Sequence, residues 1–125
     1  MEVLVNCNIV VDIETIENIS GSNQYFEIIF STPNKDQYKL KFDSVWDIRC
    51  ATENGYIDRF SKFERNVKKK SNILMIENSK YKKYFEHQSS GTRPMEEIEN
   101  YIISDMIDTV IELLTSQEPT LEKMV

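Results

Sequence analysis

Residue types that build common catalytic and cofactor sites are scarce in this 125-residue chain, which has three glycines, two cysteines and one histidine. The glycines, Gly21, Gly55 and Gly91, form neither a G-x-G-x-x-G turn nor a P-loop, so nucleotide binding by those two devices is excluded. His87 alone cannot build a histidine-rich metal site or a multi-histidine relay, and its context favours a solvated helix face. We therefore expect no metal, no cofactor and no enzymatic activity.

Cysteines and long apolar runs give few further signals. Cys7 and Cys50 lack a C-x-x-C spacing and fall on the apolar faces of predicted strands, so we expect both thiols to be reduced and buried. The first residues include neither a basic leader nor a signal-peptide apolar run. No stretch approaches the roughly 18 to 20 apolar residues that span a bilayer. These features predict a cytoplasmic protein without membrane attachment.

Acidic residues outnumber basic ones. The 21 Asp and Glu against 15 Lys and Arg give a net charge of -6, which disfavours sequence-independent binding to a phosphate backbone. The one basic cluster, at Lys62, Arg65, Lys68, Lys69 and Lys70, is more typical of a solubilising loop than of a nucleic-acid patch. We expect no nucleic-acid partner. A basic protein partner fits the charge, although acidic charge also serves solubility alone.

Apolar and polar residues alternate over residues 3–13 and again over residues 38–50, which predicts two strands with one buried face each. A turn is predicted at 16–22, a strand at 25–31, and a second turn around Pro33 and Asn34. The apolar parity survives the interruption at Asp43 and Ser44. We therefore favour one bent strand over residues 36–51, with two strands broken at those residues as the alternative.

Helical spacing appears in three places. Aromatic residues predict a helix over residues 52–66 after a possible Thr52 cap, with an ordered loop as the alternative. A short buried strand is predicted at 73–76, and a second helix begins after Asn78 or Ser79 and ends near Gly91, with Pro94 beyond it. Residues 98–104 and 109–114 fit a terminal hairpin, but the apolar spacing over 96–114 fits one long helix equally well.

These elements together predict an α+β fold. A chain of 125 residues suits one hydrophobic core rather than two, so we expect a single domain over residues 1–115. In it, a mainly antiparallel sheet of about five to six strands packs against two helices. Residues 116–125 have no periodic face and are expected to fray.

Charged side chains form groups that suit either chemistry or recognition. Asp12, Glu14 and Glu17 lie near the end of the first predicted strand, and a second acidic group lies at residues 96–99. Carboxylates bind a hard cation or act as acid and base only where they converge in space, so we favour a solvated face for both groups.

Asp43, Asp47 and Arg49 share the polar face of the second alternating segment. If that face is open, these side chains can grip a partner by charge-assisted hydrogen bonds. If a helix covers it, Asp47 and Arg49 form a partly buried ion pair, which is the interpretation we favour.

Four short runs carry a family resemblance: FDSVWDIR (42–49), ENGYIDR (53–59), YII (101–103) and TVIEL (109–113). Over roughly residues 42–114 the chain resembles small acidic immunity proteins of bacterial polymorphic-toxin systems. The resemblance implies an α+β antagonist that binds a cognate toxin, often a nuclease, and blocks it by occlusion without catalysis. Charge, not the resemblance, suggests which acidic residues meet a basic toxin surface: Asp12, Glu14, Glu17, Asp43 and Asp47. Arg49, on the same polar strand face as Asp43 and Asp47, is the sixth candidate partner-binding residue.

A function of another class fits the same sequence. A small structural or regulatory domain can self-associate through an exposed strand edge or through aromatic helix surfaces, and the chain would then be a homo-oligomer. An enzyme that uses scattered carboxylates ranks last, because it requires Asp and Glu side chains that converge in a concave site.

Overall fold

The computed structural model describes residues 1–92 and 95–125, and in these ranges the chain forms ten strands and two α-helices. The strands are β1 (Val3–Asn6), β2 (Thr15–Ser22), β3 (Tyr25–Ser31), β4 (Gln37–Phe42), β5 (Val45–Thr52), β6 (Glu64–Asn66), β7 (Ile73–Glu77), β8 (Glu99–Ser104), β9 (Thr109–Thr115) and β10 (Thr120–Lys123). The helices are α1 (Ile57–Lys62) and α2 (Lys80–Gln88), and short 3-10 helices span Glu53–Tyr56 and Met95–Glu97. The helix break predicted at Pro94 lies outside the described residues.

The strands divide between two sheets. One has six strands in the order β5-β9-β8-β7-β1-β6, and the other has four in the order β10-β4-β3-β2. The strands pair antiparallel except for β1 with β6. The predicted α+β class, with two helices and mainly antiparallel pairing, is confirmed. The predicted sheet of about five to six strands corresponds to the six-stranded sheet, whereas the second sheet, of four strands, was not predicted.

Two apolar layers hold the sheets and helices together. The main core lies between the sheets, where Phe30 and Leu40 of the four-stranded sheet meet Tyr101 and Ile111 of the six-stranded sheet. Smaller clusters lie on the other face of the six-stranded sheet, under the helices. Strand β9 is therefore covered on both faces. This double burial explains its nearly continuous apolar sequence, which periodicity alone did not distinguish from a helix.

The predicted strand over residues 3–13 is only partly a strand. β1 ends at Asn6, and residues 7–14 pair with no strand in the part of the chain that the structure describes. Side chains bind its backbone instead: Ser71 Oγ accepts a hydrogen bond from Val11 N at 3.2 Å, and Asn72 Oδ1 accepts one from Ile13 N at 3.0 Å. The odd-numbered apolar residues of this segment nevertheless pack against the main core. The pattern identified the buried side chains correctly but not the backbone conformation.

The turn predicted at 16–22 is wrong, because these residues belong to β2. This strand forms a hairpin with β3, and a bulge interrupts the pairing between Ile16 and Asn18. The hairpin turns at Asn23, whose φ is 57°. An edge strand with one face in solvent accepts the polar sequence that suggested a turn.

The single bent strand favoured over residues 36–51 is also wrong, and the alternative of two strands is correct. β4 ends before Asp43 and β5 begins after Ser44, in the other sheet. Ser44 has a left-handed φ of 53°, which redirects the chain. A bulge at the start of β5 then places Trp46 toward α2, while Val45 and Ile48 face the main core. Because the chain changes sheets at Ser44 and then forms a bulge, the apolar residues stay at even-numbered positions. This even spacing is what suggested a single strand.

The helix predicted over residues 52–66 is shorter than expected. A 3-10 helix leads into α1, and the chain then forms β6, which pairs with β1. Thr52 makes no side-chain capping bond. The second helix is confirmed: Ser79 Oγ caps α2 by accepting a hydrogen bond from Lys82 N at 2.9 Å. Beyond α2, Gly91 has a φ of 72°.

The C-terminal third is a hairpin followed by an ordered strand. Antiparallel pairing of β8 with β9 excludes the long helix. The expectation of fraying over 116–125 is wrong for Thr120–Lys123, because β10 pairs with β4 and places Leu121 against the main core.

Both cysteines are free, but their surroundings differ. Burial raises the pKa of the partly buried Cys7. The expectation of a buried Cys50 is wrong, since it is exposed on the edge strand β5. Among residues 1–92 and 95–125, no helix is long and apolar enough to cross a membrane.

Candidate functional site

The turn between β8 and β9, residues 105–108, is fixed by one carboxylate. Asp105 Oδ1 accepts hydrogen bonds from the backbone N–H groups of Ile107, Asp108 and Thr109 at 3.0, 2.9 and 2.9 Å. Its Oδ2 accepts another from Ile16 N at 3.0 Å. Aspartate commonly organises a turn in this way by bonding the backbone that follows it. The turn is therefore rigid in itself and anchored to β2.

Two large apolar side chains project from this rigid turn. Met106 is 48% exposed and Ile107 is 64% exposed, and Ile57 on α1 is 59% exposed. Single exposed apolar side chains are ordinary on protein surfaces, whereas a group of them is typical of an interaction site. Two of these three side chains, Met106 and Ile107, belong to the turn that hydrogen bonds to Asp105 hold in place.

A groove of about 380 Å³ runs between the turn and α1. We call it the acidic groove, defined by the carboxylates of Glu53, Asp105 and Asp108 and by the apolar side chains of Ile57, Phe60 and Val110. Arg65 is the one cation among the described residues that line it. Glu53 N donates to Asp108 O at 2.8 Å and to its Oδ1 at 3.1 Å, which ties the start of the 3-10 helix to the turn.

Three of the predicted site residues lie near this end of the molecule. The backbone N–H of Met106 donates to Glu14 O at 3.0 Å, so Glu14 adjoins the turn directly. Its carboxylate is paired with Lys35 Nζ at 2.9 Å. Glu17 is exposed beside the β2 bulge, where its Oε1 accepts a hydrogen bond from Gln37 Nε2 at 2.9 Å. Asp12 is exposed just before Ile13.

Asp43 does not join them. It follows the last residue of β4, which pairs with Phe26, whereas Glu14 adjoins Ser31 at the other end of β3. Five residues of a strand separate those two levels, or about 17 Å. The predicted acidic residues therefore do not form one continuous row.

The outer face of the four-stranded sheet carries balanced charge. Lys41 Nζ lies 2.6 Å from Glu122 Oε2, and Lys39 Nζ lies 3.7 Å from Glu27 Oε2. Positive and negative groups alternate across neighbouring strands. This face is a solvated surface of low net charge and offers little to attract a strongly charged partner.

Asp47 and Arg49 lie on the helix side of the six-stranded sheet, beside Tyr81 of α2, where Asp47 is partly buried and Arg49 is exposed. The predicted ion pair between them is absent from the described part of the chain, because Tyr81 contacts both. Tyr81 OH donates to Asp47 Oδ2 at 2.8 Å, and Arg49 Cζ lies 3.7 Å from the centre of the Tyr81 ring. Burial, with the Asp47 hydrogen bond, raises the pKa of Tyr81 far above its usual value. These two residues therefore belong to a different surface from the acidic groove.

A buried ionic cluster lies beside them. Arg59 Nη2 donates to Glu2 Oε2 at 2.9 Å, and Arg59 Nη1 donates to Glu112 Oε1. Tyr56 OH also donates to Glu112 Oε1, at 3.0 Å, and Lys80 N donates to Glu2 Oε2 at 3.0 Å. The cluster ties α1, α2 and the sheet together through one guanidinium.

Sequence reasoning missed this cluster, although one signal was present. Glu112 is the single charged residue in the otherwise apolar core of β9, and a charge in a strand buried on both faces needs a partner. Burial, with the nearby Glu112 carboxylate, raises the pKa of Tyr56 to about 12. The remote partners Glu2 and Arg59 left no comparable signal.

Comparisons with known proteins identify no relative: no protein-family model, no curated protein and no solved structure matches this chain. Among the residues that the structure describes, no group of three or more His, Cys, Asp or Glu side chains is arranged to hold a metal ion.

Proposed function

We propose that this protein acts by binding rather than by catalysis, and that it docks through the acidic groove onto a basic surface of a partner protein. The observation that carries this proposal is the turn that Asp105 fixes. It exposes Met106 and Ile107 between Asp105 and Asp108, which line the acidic groove together with Glu53. Apolar residues at the centre with polar residues around them are typical of protein interfaces. The excess of carboxylates selects a partner of opposite charge.

The rigidity of the turn favours tight docking. A loop that orders only on binding loses conformational entropy and therefore affinity. Asp105 already fixes this turn through four backbone hydrogen bonds in the free protein. The carboxylates around it would also speed encounter with a cationic surface.

The partner we propose is a cognate bacterial toxin, which the protein would occlude as an immunity protein in the cytoplasm. The resemblance of residues 42–114 supports this class. A nuclease toxin needs a basic surface to bind phosphates, and the carboxylates of the acidic groove, with Asp12 and Glu17 near the same end of the molecule, can take the place of phosphate there. Glu14 contributes less, because Lys35 already pairs with its carboxylate. The two free thiols, Cys7 and Cys50, suit a reducing compartment.

Co-expression with the toxin encoded beside this chain, followed by pull-down and binding kinetics, tests the proposal. Ile107→Ser should weaken binding about tenfold, mainly by faster dissociation, because it removes an apolar anchor. The double variant Glu53→Gln, Asp108→Asn should mainly slow association and reduce its salt dependence, because it removes rim charges and keeps the side-chain shapes.

Two matched controls separate docking from general surface effects. Val10→Ser removes another exposed apolar side chain, and Glu86→Gln removes an exposed carboxylate on α2. Both should bind like the parent chain. Absence of any complex, or equal losses in the control variants, would contradict the proposal.

Self-association is the second candidate, and one observation favours it. Asn6 Oδ1 accepts hydrogen bonds from the backbone of Lys68 at 2.8 Å and of Lys69 at 3.2 Å, which fixes this basic loop at the end of β1. Asn6 pairs with Leu74 at the start of β7, so the loop lies at the same end of the sheet as the acidic groove. Basic and acidic regions at one end can complement each other between two copies. A light-scattering mass that rises with concentration, without toxin binding, would favour this candidate.

A further inference from the structure

A second groove, of about 390 Å³, opens on the helix side of the six-stranded sheet. We call it the cationic cleft, because this acidic chain lines it with four cations, Arg49, Arg59, Lys62 and Lys80, against the carboxylates of Glu2 and Asp58. It lies between α1, α2 and β5. The proposed docking surface does not use its cations.

Two of these four cations are already compensated. Arg59 bridges Glu2 and the buried Glu112, and Lys62 Nζ lies 3.1 Å from Asp58 Oδ2. Across residues 1–92 and 95–125, neither Arg49 nor Lys80 forms an ion pair. These two cations therefore have no carboxylate at ion-pair distance among the described residues, and both remain free to contact an anion in the cleft.

Arg49 is held through its side chain, and Lys80 is held through its backbone. The Arg49 guanidinium stacks on the Tyr81 ring, and the Tyr81 hydroxyl is anchored to Asp47. The backbone N–H of Lys80 is tied to Glu2 Oε2 at 3.0 Å. Because its guanidinium is already oriented, Arg49 loses less entropy when it binds an anion, whereas Lys80 contributes a flexible ammonium group from a fixed helix start.

An exposed aromatic ring completes the cleft. Tyr84 is 55% exposed, and its ring centre lies 5.6 Å from Arg49 Cζ. It follows Lys80 by four residues on α2, which places it on the same helix face about 6 Å further along the axis. The ring can contact an organic group while the two cations hold an anion.

We propose that the cationic cleft binds a small organic phosphate, with the phosphate monoester between Arg49 and Lys80 and a flat organic group against Tyr84. A phosphate monoester carries a charge of about -1.5 to -2 near neutral pH, which matches two uncompensated cations better than a single carboxylate does. The net charge of -6 does not oppose this locally, since ions screen charges beyond about 8 Å at physiological salt.

Nuclear magnetic resonance titration of the full chain with phenyl phosphate tests the proposal. At constant ionic strength, the amide signals of β5 around residue 49 and of α2 over residues 80–84 should shift and saturate. Benzyl alcohol and benzoate should bind at least tenfold more weakly than phenyl phosphate, since one lacks the anion and the other lacks the second charge. Inorganic phosphate should bind at the same signals, more weakly than phenyl phosphate.

Variants assign the contacts. Arg49→Gln and Lys80→Gln should each weaken phenyl phosphate binding about tenfold or more, the usual loss for one charge-assisted hydrogen bond. Tyr84→Ala should weaken phenyl phosphate but not inorganic phosphate. Lys83→Gln is the matched control, because Lys83 lies on the same helix outside this cleft. Since Lys80 is exposed at the start of α2, its variant keeps the test valid if Arg49→Gln impairs folding.

Three outcomes would overturn the proposal. They are no saturating shift with phenyl phosphate, equal binding of benzoate, and equal losses from Lys83→Gln. Tighter binding of a phosphotyrosine peptide than of phenyl phosphate would overturn the small-molecule assignment in favour of a protein ligand.

Discussion

Replacing Arg59 by methionine should destabilise the fold strongly, because it leaves the Glu112 carboxylate buried without its counter-ion. Glu112 is fully buried, at 0% exposure, and Arg59 is its only ion-pair partner among the described residues. Removing one partner of a buried ion pair costs about 3–5 kcal/mol. The Arg59 side chain is 20% exposed, so water reaches part of the pair. We therefore expect a loss near the lower end, about 3 kcal/mol.

Urea unfolding of the full chain at pH 7, followed by circular dichroism, measures this loss. Lys62→Met is the matched control: it removes a cation from the same helix, but Lys62 is 69% exposed in its pair with Asp58. A surface pair of this kind contributes about 0.5 kcal/mol or less. Both variants remove one cation from α1, so the difference between their losses of unfolding free energy measures the effect of burying the ion pair.

A double variant separates the stranded charge from lost packing. Arg59→Met with Glu112→Gln removes both charges and keeps an oxygen that can accept the Tyr56 hydrogen bond. It should be more stable than Arg59→Met alone, because the Glu112 carboxylate is no longer buried without a counter-ion, although Glu2 has lost its partner in both variants. An Arg59→Met loss no larger than that of the Lys62 control would refute the reasoning. So would a double variant that is less stable than the single one.

Further predictions concern the other contacts. Tyr81→Phe keeps the ring under Arg49 but loses the bond to Asp47, and urea unfolding should show a loss of about 1–2 kcal/mol. Folding raises the pKa of Tyr56 to about 12, so its contribution to the free energy of unfolding is fully present below pH 10 and should be lost as pH rises through 12. Ultraviolet titration and urea unfolding can follow this loss, with Tyr56→Phe as the reference. Gly21→Ala should cost about 1–3 kcal/mol, since its Cβ would lie 2.2 Å from a backbone oxygen of β3. Gly55→Ala, with its nearest contact at 3.7 Å, should cost less.

The sequence was most informative where one local rule decided the structure. Strand β3 alternates cleanly, and Ser79 caps α2 as a serine at that position should. The division into two sheets was not predictable in the same way. It depends on Ser44 adopting a left-handed backbone, and nothing in the alternation of residues 38–50 requires that. A compensating bulge at Trp46 kept the apolar parity intact and concealed the switch.

The candidate site shows the same limit for charges. Periodicity correctly placed Asp47 and Arg49 on one face of a strand. It could not predict that Tyr81, which lies on a helix 34 residues after Asp47, contacts both of them. The acidic groove was found only in part, through the neighbouring Glu14. Its decisive residue, Asp105, acts by bonding backbone N–H groups, and that role depends on a turn at residues 105–108 that the competing helix prediction did not contain.

Net charge alone describes the surface of this protein poorly, because opposite charges are separated by face. The acidic groove lies at the end of the six-stranded sheet, and the cationic cleft lies under the helices. Screening over about 8 Å makes each surface act nearly independently, so a basic partner meets the local carboxylates and not the average of -6. The basic loop at Lys68 and Lys69 lies beyond the groove but at the same end of the sheet. The partner's shape must therefore decide between docking and self-association: a basic surface confined to the groove avoids that loop, whereas a second copy would use it.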